Sequence, residues 1–376
     1  MRAIFFSFVL VFSAQAFARD TSHFIPNLNA LPLTIDADNV KIKGFRFLNK
    51  NGEPNHGKFV LFTHGLHSNL HEFEHMVRAK MAEGYDCYAF NFRGHGNSNE
   101  KSTVIDYHEG DYSFERMADT DFPAMLNLVR RMNGQKGFII GHSMGGMVPR
   151  ASIAKGLVDQ SQIEGMVLLG SPPHFRNQFN LLPPSLLDRF LTGLYAGSGR
   201  DPFSIAAALH KYEADLDFMN MANPVYWLMK MGLTKQWSIL KDVIEALGFY
   251  DGHWATRAMT NQIPKDIMRS FATYQTEYPY EDVKLAMPVL YIMGEKDILV
   301  KMEDIMETAK AQSKNSGYWF ITLKGVGHLS LIAPAAFESY RESLRLFMDA
   351  PASIGPANLT HIENNLGFCS RLLLGA

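Results

Sequence analysis

The sequence predicts an α/β protein in which a mostly parallel sheet carries helices on both faces and is interrupted by an inserted helical cap. Three observations support this fold class. Short apolar runs alternate with longer stretches of helical periodicity, as expected for buried parallel strands joined by crossover helices. The alternation stops within residues 174–285 and resumes afterwards. The pentapeptide Gly141-His142-Ser143-Met144-Gly145, called the elbow below, joins an apolar run to a helical stretch.

The break in alternation divides the chain into segments. We expect residues 19–173 and 286–350 to form the α/β core, residues 174–285 the helical cap, and residues 351–376 a C-terminal tail. The cap segment is rich in large apolar side chains, and its Pro and Gly clusters separate short helical patterns with no strand between them. Most of these side chains are expected to form a small core of the cap itself.

The first half of the core is predicted to contain a hairpin, two buried strands and a helix. Residues 36–50 alternate and lead into a turn cluster at 51–54, so we expect an antiparallel hairpin that leads into a strand at 58–63. A helix is expected over 68–82, and a buried strand follows over 85–92.

The next elements lead into and out of the elbow. Helical spacing runs over 113–132 with Ser113 as its N-cap, and the apolar run at 136–140 predicts the strand before the elbow. Pro123 and Pro149 lie inside predicted helices, so we expect a kink or an irregular turn at each. The remaining core elements are expected as strands at 163–169, 287–293 and 318–323 and as helices at 302–311 and 337–348.

Residues 1–18 have the three parts of a secretory signal. Arg2 gives a positive start, an apolar run extends from Ile4 to Phe12, and Ala16-Phe17-Ala18 is a small-x-small cleavage site. The apolar run is shorter than the roughly 20 residues that span a bilayer. We therefore expect cleavage after Ala18 and release of the mature protein into a periplasm or the medium.

Composition limits the classes of partner. The chain has 376 residues, enough for one large core with an insertion, and its formal net charge of −2 offers no basic surface for nucleic acid. Its only two cysteines are Cys87 and Cys369, so no disulfide scaffold is indicated. Cys87 is predicted to be a small buried hydrophobe, although pairing with Cys369 stays open, as does the oligomeric state.

Ser143 lies where a serine nucleophile is expected. The elbow fits G-x-S-x-G and stands between a predicted strand and a predicted helix, the context in which a sharp turn exposes the hydroxyl. Gly141 and Gly145 leave room for backbone that no side chain could flank, and the N-terminus of the helix supplies a positive end. The alternative is a glycine-rich turn without chemistry.

A serine nucleophile needs a base and an acid that orients the base, and the chain order provides both. Asp297 follows the strand predicted at 287–293, and His328 follows the strand predicted at 318–323, so both lie at the carboxyl edge of the sheet. The order Ser, Asp, His is typical of hydrolases with this elbow. Glu295 is the competing acid, and His328 has the alternative role of a loop residue before the last helix.

Two backbone N–H groups are candidate donors to a developing oxyanion. Met144 follows the nucleophile directly, and Leu66, within His64-Gly65-Leu66, follows the strand predicted at 58–63 at the same edge of the sheet. A neighbour of Leu66 could replace it if the loop geometry differs. The mechanism needs no cofactor and no metal.

A second motif competes with this site. His71-Glu72-Phe73-Glu74-His75 satisfies H-E-x-x-H, the signature of zinc proteases, and His67 lies about one turn earlier. We expect this helix to cover the sheet from outside with its histidines on a solvated face, and we favour that interpretation over a zinc site.

These residues resemble the α/β-hydrolase superfamily. The resemblance rests on His64-Gly65, the run from Arg93 to Ser98, the elbow with Gly146, Asp297 and His328. The run from Tyr112 to Met125, followed by Gly134-Gln135 and the elbow, is also similar to the gastric and lysosomal acid lipase family. Here Met144 stands where that family usually has Gln. The narrower resemblance implies hydrolysis of lipid esters under a helical lid.

The expected function is therefore that of a secreted serine ester hydrolase, a lipase or esterase that cleaves apolar acyl esters through a Ser-His-Asp triad and an acyl-enzyme. The alternatives are an acyltransferase, an amide or polyester hydrolase on the same triad, and a non-catalytic binding protein on the same fold. The expected partner is a small-molecule or lipid ester, with transient contact to a lipid surface through the cap. The acyl chain length and the head group stay open.

Overall fold

The structure of the chain is a computed structural model. It describes residues 28–38, 40–66, 68–95, 112–172, 203–204, 262–263, 267, 270, 283–295, 297, 300, 302–312 and 317–351. The expected signal segment, most of the expected cap and the tail after residue 351 lie outside the described residues, and so does Cys369. Within the described part of the chain, no helix is both long enough and apolar enough to cross a membrane.

An eight-stranded sheet forms the centre of the molecule. Its strands are β1 (Asn29–Ala37), β2 (Val40–Leu48), β3 (Phe59–Thr63), β4 (Asp86–Phe90), β5 (Gly137–His142), β6 (Ile163–Leu169), β9 (Val289–Gly294) and β10 (Tyr318–Leu323). Their order across the sheet is β1-β2-β4-β3-β5-β6-β9-β10. The six strands from β4 to β10 pair in parallel, and β1 and β2 add an antiparallel hairpin at one edge.

The helices begin and end close to the predicted positions. The α-helices are α1 (Glu74–Ala82), α2 (Phe114–Arg116), α3 (Phe122–Asn133), α4 (Met144–Ala154), α5 (Met302–Gln312) and α6 (Pro334–Asp349). A π-helical turn at Met117–Asp121 links α2 to α3, and 3₁₀ turns occupy Leu70–Phe73, Gln160–Gln162 and Leu329–Ile332.

The helices cover both faces of the sheet, which confirms the predicted fold class. On one face α3, α4 and α5 contribute Phe122, Met147 and Ile305 to one buried cluster. On the other face α1 and α6 contribute Val77 and Phe337 to a second cluster. Cys87 lies in the second cluster, and burial raises the pKa of its thiol well above the usual value, as fits a small core residue.

The strand order reverses between β3 and β5. From β3 the chain crosses to β4 on one side, and from β5 it proceeds through β6, β9 and β10 on the other. Loops diverge at such a reversal and leave a crevice at the carboxyl ends of the strands. The loop after β3 and the elbow after β5 therefore lie side by side at this reversal.

Two predicted strand arrangements are wrong. The alternating run at 36–50 is interrupted by a turn at Asp38, which has a φ of +53° and follows the last residue of β1. The hairpin therefore joins β1 to β2 and lies earlier in the chain than expected. The cap segment, predicted without strands, holds Phe203–Ser204 and Gln262–Ile263, which pair antiparallel as β7 and β8. Strand pairing between segments remote in sequence leaves no local period to detect.

The two internal prolines behave differently. Pro123 lies in the first turn of α3 directly after the π-helical turn, which is the irregularity expected there. A proline has no N–H to donate and collides with the preceding turn, and a wider turn relieves both problems. At Pro149 the helix α4 continues without an irregular turn, and the Gly145 carbonyl that Pro149 cannot serve accepts the Thr63 hydroxyl at 2.7 Å.

A buried ion pair connects the loop after β4 to the π-helical turn. Arg93 is 1% exposed and Asp121 is 0% exposed. The Arg93 side chain donates to Asp121 Oδ1 through Nε at 2.9 Å and Nη2 at 2.6 Å, while its backbone N–H donates to Oδ2 at 3.0 Å. The pair fixes two segments that belong to the motifs on which the sequence resemblance rests.

Asp121→Asn removes the charge partner of a guanidinium that water cannot reach. Removing one partner of a buried pair costs about 3–5 kcal/mol, so we expect a loss of unfolding free energy of that size. Asp38→Asn is the matched control, because the Asp38–Arg116 pair is 47% and 50% exposed and an exposed pair is worth less than about 1 kcal/mol. Urea titration followed by circular dichroism measures both, and equal losses would contradict the assignment.

Candidate active site

Ser143 occupies a strained backbone conformation between β5 and α4. Its φ of +51° and ψ of −120° are sparsely populated for a residue with a side chain. The turn is tight because a Cβ at Gly141 would lie 2.5 Å from the Gly145 carbonyl oxygen and a Cβ at Gly145 would collide with the Thr63 carbonyl. The two glycines therefore let the backbone approach closely and hold Ser143 at the carboxyl edge of the sheet.

A buried arginine is linked to the elbow by hydrogen bonds through the loop after β6. Arg150 on α4 is fully buried, and its guanidinium donates to the Ser171 hydroxyl at 2.9 Å, to the Ser171 carbonyl at 3.2 Å and to the Pro172 carbonyl. The Ser171 hydroxyl in turn donates to the Ser143 carbonyl at 2.7 Å. The sequence gives no local signal for these hydrogen bonds, since they join side chains of α4 to a loop 21 residues further along.

His328 and Asp297 meet at the same edge of the sheet. Nδ1 of His328 lies 2.7 Å from Oδ2 of Asp297, and the two side chains are 7% and 1% exposed. The other oxygen of Asp297, Oδ1, accepts the Val300 N–H at 2.9 Å, which fixes the carboxylate. Because a carboxylate accepts a proton on Nδ1, Nε2 of His328 is left as the basic nitrogen.

Glu295 is directed elsewhere. Its Oε2 accepts the Gly325 N–H at 2.9 Å in the turn after β10. Of the two carboxylates that follow β9, the structure therefore brings Asp297 to His328, and it uses Glu295 to connect two turns.

The loop after β6 brings the His328 pair close to the elbow. A Cβ at Gly170 would lie 3.1 Å from His328 Nδ1 and 3.2 Å from Asp297 Oδ2, so only a glycine leaves space for this approach. The His142 ring, next to Ser143 in the chain, lies with its centroid 5.0 Å from that of His328. The three predicted residues Ser143, Asp297 and His328 are thus gathered at one edge of the sheet.

The two predicted oxyanion donors border the same place. Met144 is the first residue of α4, where a backbone N–H has no carbonyl one turn earlier to donate to. Leu66 follows Gly65, and a Cβ at Gly65 would lie 3.4 Å from the Ser143 Cβ. The loop after β3 therefore lies against the nucleophile position.

His64 fixes that loop. Its Nε2 accepts the Phe92 N–H at 3.0 Å, so the ring proton is on Nδ1 and is donated to the Gly65 carbonyl at 2.8 Å. Burial lowers the pKa of His64, which keeps the ring neutral in this arrangement.

The H-E-x-x-H motif does not lie on a solvated face, so that expectation is wrong. His71 is 3% and Glu72 is 1% exposed, because the motif begins in the buried 3₁₀ turn Leu70–Phe73 before it enters α1. Glu72 accepts the Gly65 N–H and lies 3.3 Å from His142 Nδ1. Among the described residues, which do not include His67, no group of three His, Cys, Asp or Glu side chains is arranged to hold a metal ion.

The chain is similar to known proteins in both sequence and fold. The model of the alpha/beta hydrolase fold family matches residues 58–333. This chain belongs to that family. A Mycoplasma pneumoniae protein whose name assigns it as an esterase/lipase is 23% identical over 284 residues, covering 74% of this chain and 86% of that protein.

Solved structures share the fold of this alpha/beta hydrolase. A thermophilic esterase from Thermogutta terrifontis matches at a TM-score of 0.55 and 17% identity, covering 85% of this chain and 100% of that chain. A hydrolase from Pseudomonas aeruginosa PA01 matches at a TM-score of 0.51 and 16% identity, covering 88% and 98%. At these identities the likeness concerns the fold.

Asp297→Asn removes the charge that orients His328 and places an amide at its Nδ1. We expect at least a thousandfold slower reaction of Ser143 with a fluorophosphonate probe, since the imidazole loses the tautomer that a base needs. Glu295→Gln is the matched control, because it changes a carboxylate two residues away that faces the Gly325 N–H, and we expect its rate within about twofold of wild type. The reverse ranking would identify Glu295 as the acid.

Proposed function

We propose that this protein is a secreted serine ester hydrolase that cleaves apolar acyl esters. In this proposal Ser143 is the nucleophile, His328 the general base, Asp297 the residue that orients the base, and Met144 and Leu66 the backbone oxyanion donors. One observation carries the proposal: a serine held at φ +51° in a strand-to-helix turn shares its edge of the sheet with a buried His–Asp pair at 2.7 Å.

The proposed acylation begins when the ester carbonyl lies against the elbow. Ser143 Oγ attacks the carbonyl carbon while His328 Nε2 takes the hydroxyl proton. The oxyanion that forms accepts hydrogen bonds from the backbone N–H groups of Met144 and Leu66, and Asp297 stabilises the positively charged imidazole of His328. The carbon–oxygen bond to the alcohol then breaks, and His328 returns its proton to the leaving oxygen. The acyl group remains on Ser143.

Deacylation reverses these roles with water. His328 takes a proton from a water molecule, which attacks the acyl carbonyl through the same oxyanion site. The bond to Ser143 breaks, the hydroxyl is regenerated by the proton on His328, and the acid leaves. An alcohol in place of water would give the acyltransferase alternative, so access of water after acylation decides between the two reactions.

The substrate class rests on two kinds of support. Relatives with the same fold include proteins named as esterases, and the run from Tyr112 to Met125 resembles acid lipases that act on lipid esters. The apolar composition of the cap segment favours an acyl chain over a polar substrate. The signal-like segment at 1–18 supports release from the cytoplasm, where lipid or polymeric esters would be encountered.

Ser143→Ala and His328→Ala should each reduce hydrolysis of p-nitrophenyl butyrate to less than about a hundredth of wild type while the circular dichroism spectrum stays unchanged. Members of a triad act as a unit, so the double variant should lose little more than either single variant. Hydrolysis measured by release of p-nitrophenol tests this. Residual turnover above that level in Ser143→Ala would exclude Ser143 as the nucleophile.

Catalytic efficiency should rise with acyl length beyond acetate. Each buried methylene contributes about 0.8 kcal/mol, so complete burial in the transition state gives up to about fourfold per methylene until the pocket is full. A series of p-nitrophenyl esters from acetate to palmitate measures the profile. A preference for acetate would contradict the lipase interpretation and would favour a hydrolase of small esters or amides.

A further inference from the structure

Glu72 is a buried carboxylate to which the proposed mechanism gives no role. It is 1% exposed at the carboxyl edge of the sheet, and its two oxygens face two different parts of the site. Oε1 accepts the Gly65 N–H at 3.0 Å, in the loop that carries the proposed oxyanion donor Leu66. Oε2 lies 3.3 Å from Nδ1 of His142, the residue before the nucleophile. Glu72 therefore connects the loop after β3 with the elbow.

The protonation of His142 follows from its surroundings. Glu72 Oε2 is an acceptor, so Nδ1 of His142 donates its proton to it. Nε2 of His142 is buried and has no hydrogen-bond partner among the residues that the structure describes. A proton on Nε2 would be a buried donor without a partner there, so the geometry favours the proton on Nδ1, facing Glu72. Glu72 thus sets both the orientation and the tautomer of His142.

His142 lies directly beside the proposed base. Its ring centroid is 5.0 Å from that of His328, with 40° between the ring planes. The described groups around this pair are Asp297 on Nδ1 of His328, Glu72 on Nδ1 of His142, and neutral His64, which lies near enough to Glu72 and His142 to interact with both. When His328 takes the proton of Ser143, the positive charge develops one imidazole ring away from the Glu72 carboxylate.

We propose that Glu72 is a positioning residue of the active site, which fixes the loop of Leu66 through Gly65 and stabilises protonated His328 across the ring of His142. The proposal rests on the function proposed above for Ser143 and His328. It gives the glutamate of the H-E-x-x-H motif a role without a metal ion. The role is carried by two hydrogen bonds and one ring contact, and none of these touches the substrate.

Glu72→Gln tests the charge, since its amide oxygen can still accept the Gly65 N–H. We expect kcat for p-nitrophenyl butyrate to fall about 3- to 10-fold, the equivalent of the shift expected below for the base, with KM within about twofold. The acidic limb of the pH profile of kcat/KM should move to lower pH by about 0.5–1 unit, because losing a nearby negative charge lowers the pKa of a histidine. The pH profile of Ser143 labelling by a fluorophosphonate should move by the same amount. Glu72→Asp keeps the charge and should keep the limb in place.

Glu74→Gln is the matched control in the same motif. Glu74 is also buried, but it pairs with Arg78 at 2.9 Å along α1, and we expect wild-type kcat and pH profile. The proposal is overturned if Glu72→Gln gives the wild-type limb and only a lower melting temperature, which would make Glu72 a purely structural residue. It is equally overturned if Glu74→Gln shifts the limb as strongly.

A second variant covers the case in which Glu72→Gln does not fold. His142→Gln removes the ring between Glu72 and His328 and leaves the Gly65 contact intact, and it should lower kcat more than about tenfold at unchanged KM. Wild-type kcat in that variant overturns the proposal. Failure of this proposal can be distinguished from failure of the proposed function. The proposed function fails only if Ser143→Ala retains hydrolysis, whatever the Glu72 variants do.

Discussion

The positive φ of Ser143 is the constraint on which the rest of this site depends. A side chain at φ +51° is held there only if the surrounding structure fixes the backbone on both sides. Here the fixation comes from close backbone approach, since a Cβ at Gly145 would collide with the Thr63 carbonyl. The same packing brings α4 onto β3, so the turn at Ser143 and the sheet reversal are one feature of the fold.

Buried polar groups, each with named partners, join the elements around that turn. Arg150 and Ser171 connect α4 to the loop after β6, and Arg93 with Asp121 connects the loop after β4 to the π-helical turn. A buried charge is tolerated only when it is paired or fully hydrogen-bonded, so each link also specifies where its two segments must lie. Arg93 and Asp121 lie in the two sequence runs that resemble known families, and they act here as a structural link between elements.

The carboxyl edge of the sheet holds two imidazole rings that serve different ends. His328 has a carboxylate on Nδ1, which leaves Nε2 for the proposed mechanism, whereas His142 has a carboxylate on Nδ1 and a buried Nε2. A carboxylate on Nδ1 therefore does not by itself make a histidine a base, because the second nitrogen of His142 is buried. The proposed esterase mechanism uses the first ring directly, and the proposed role of Glu72 adds the second as a connection to a negative charge.

The sequence by itself determined the fold class, most helix and strand positions and the chain order of Ser143, Asp297 and His328. Periodicity and turn chemistry are local, so strands such as β6 and β10 were predicted at their observed bounds. Only the tertiary structure decided that Asp297 and not Glu295 meets His328, because both follow β9 and the turn geometry alone separates them. Burial of Glu72 and the Arg93–Asp121 pair likewise depend on segments that are distant in sequence, and no local pattern records such contacts.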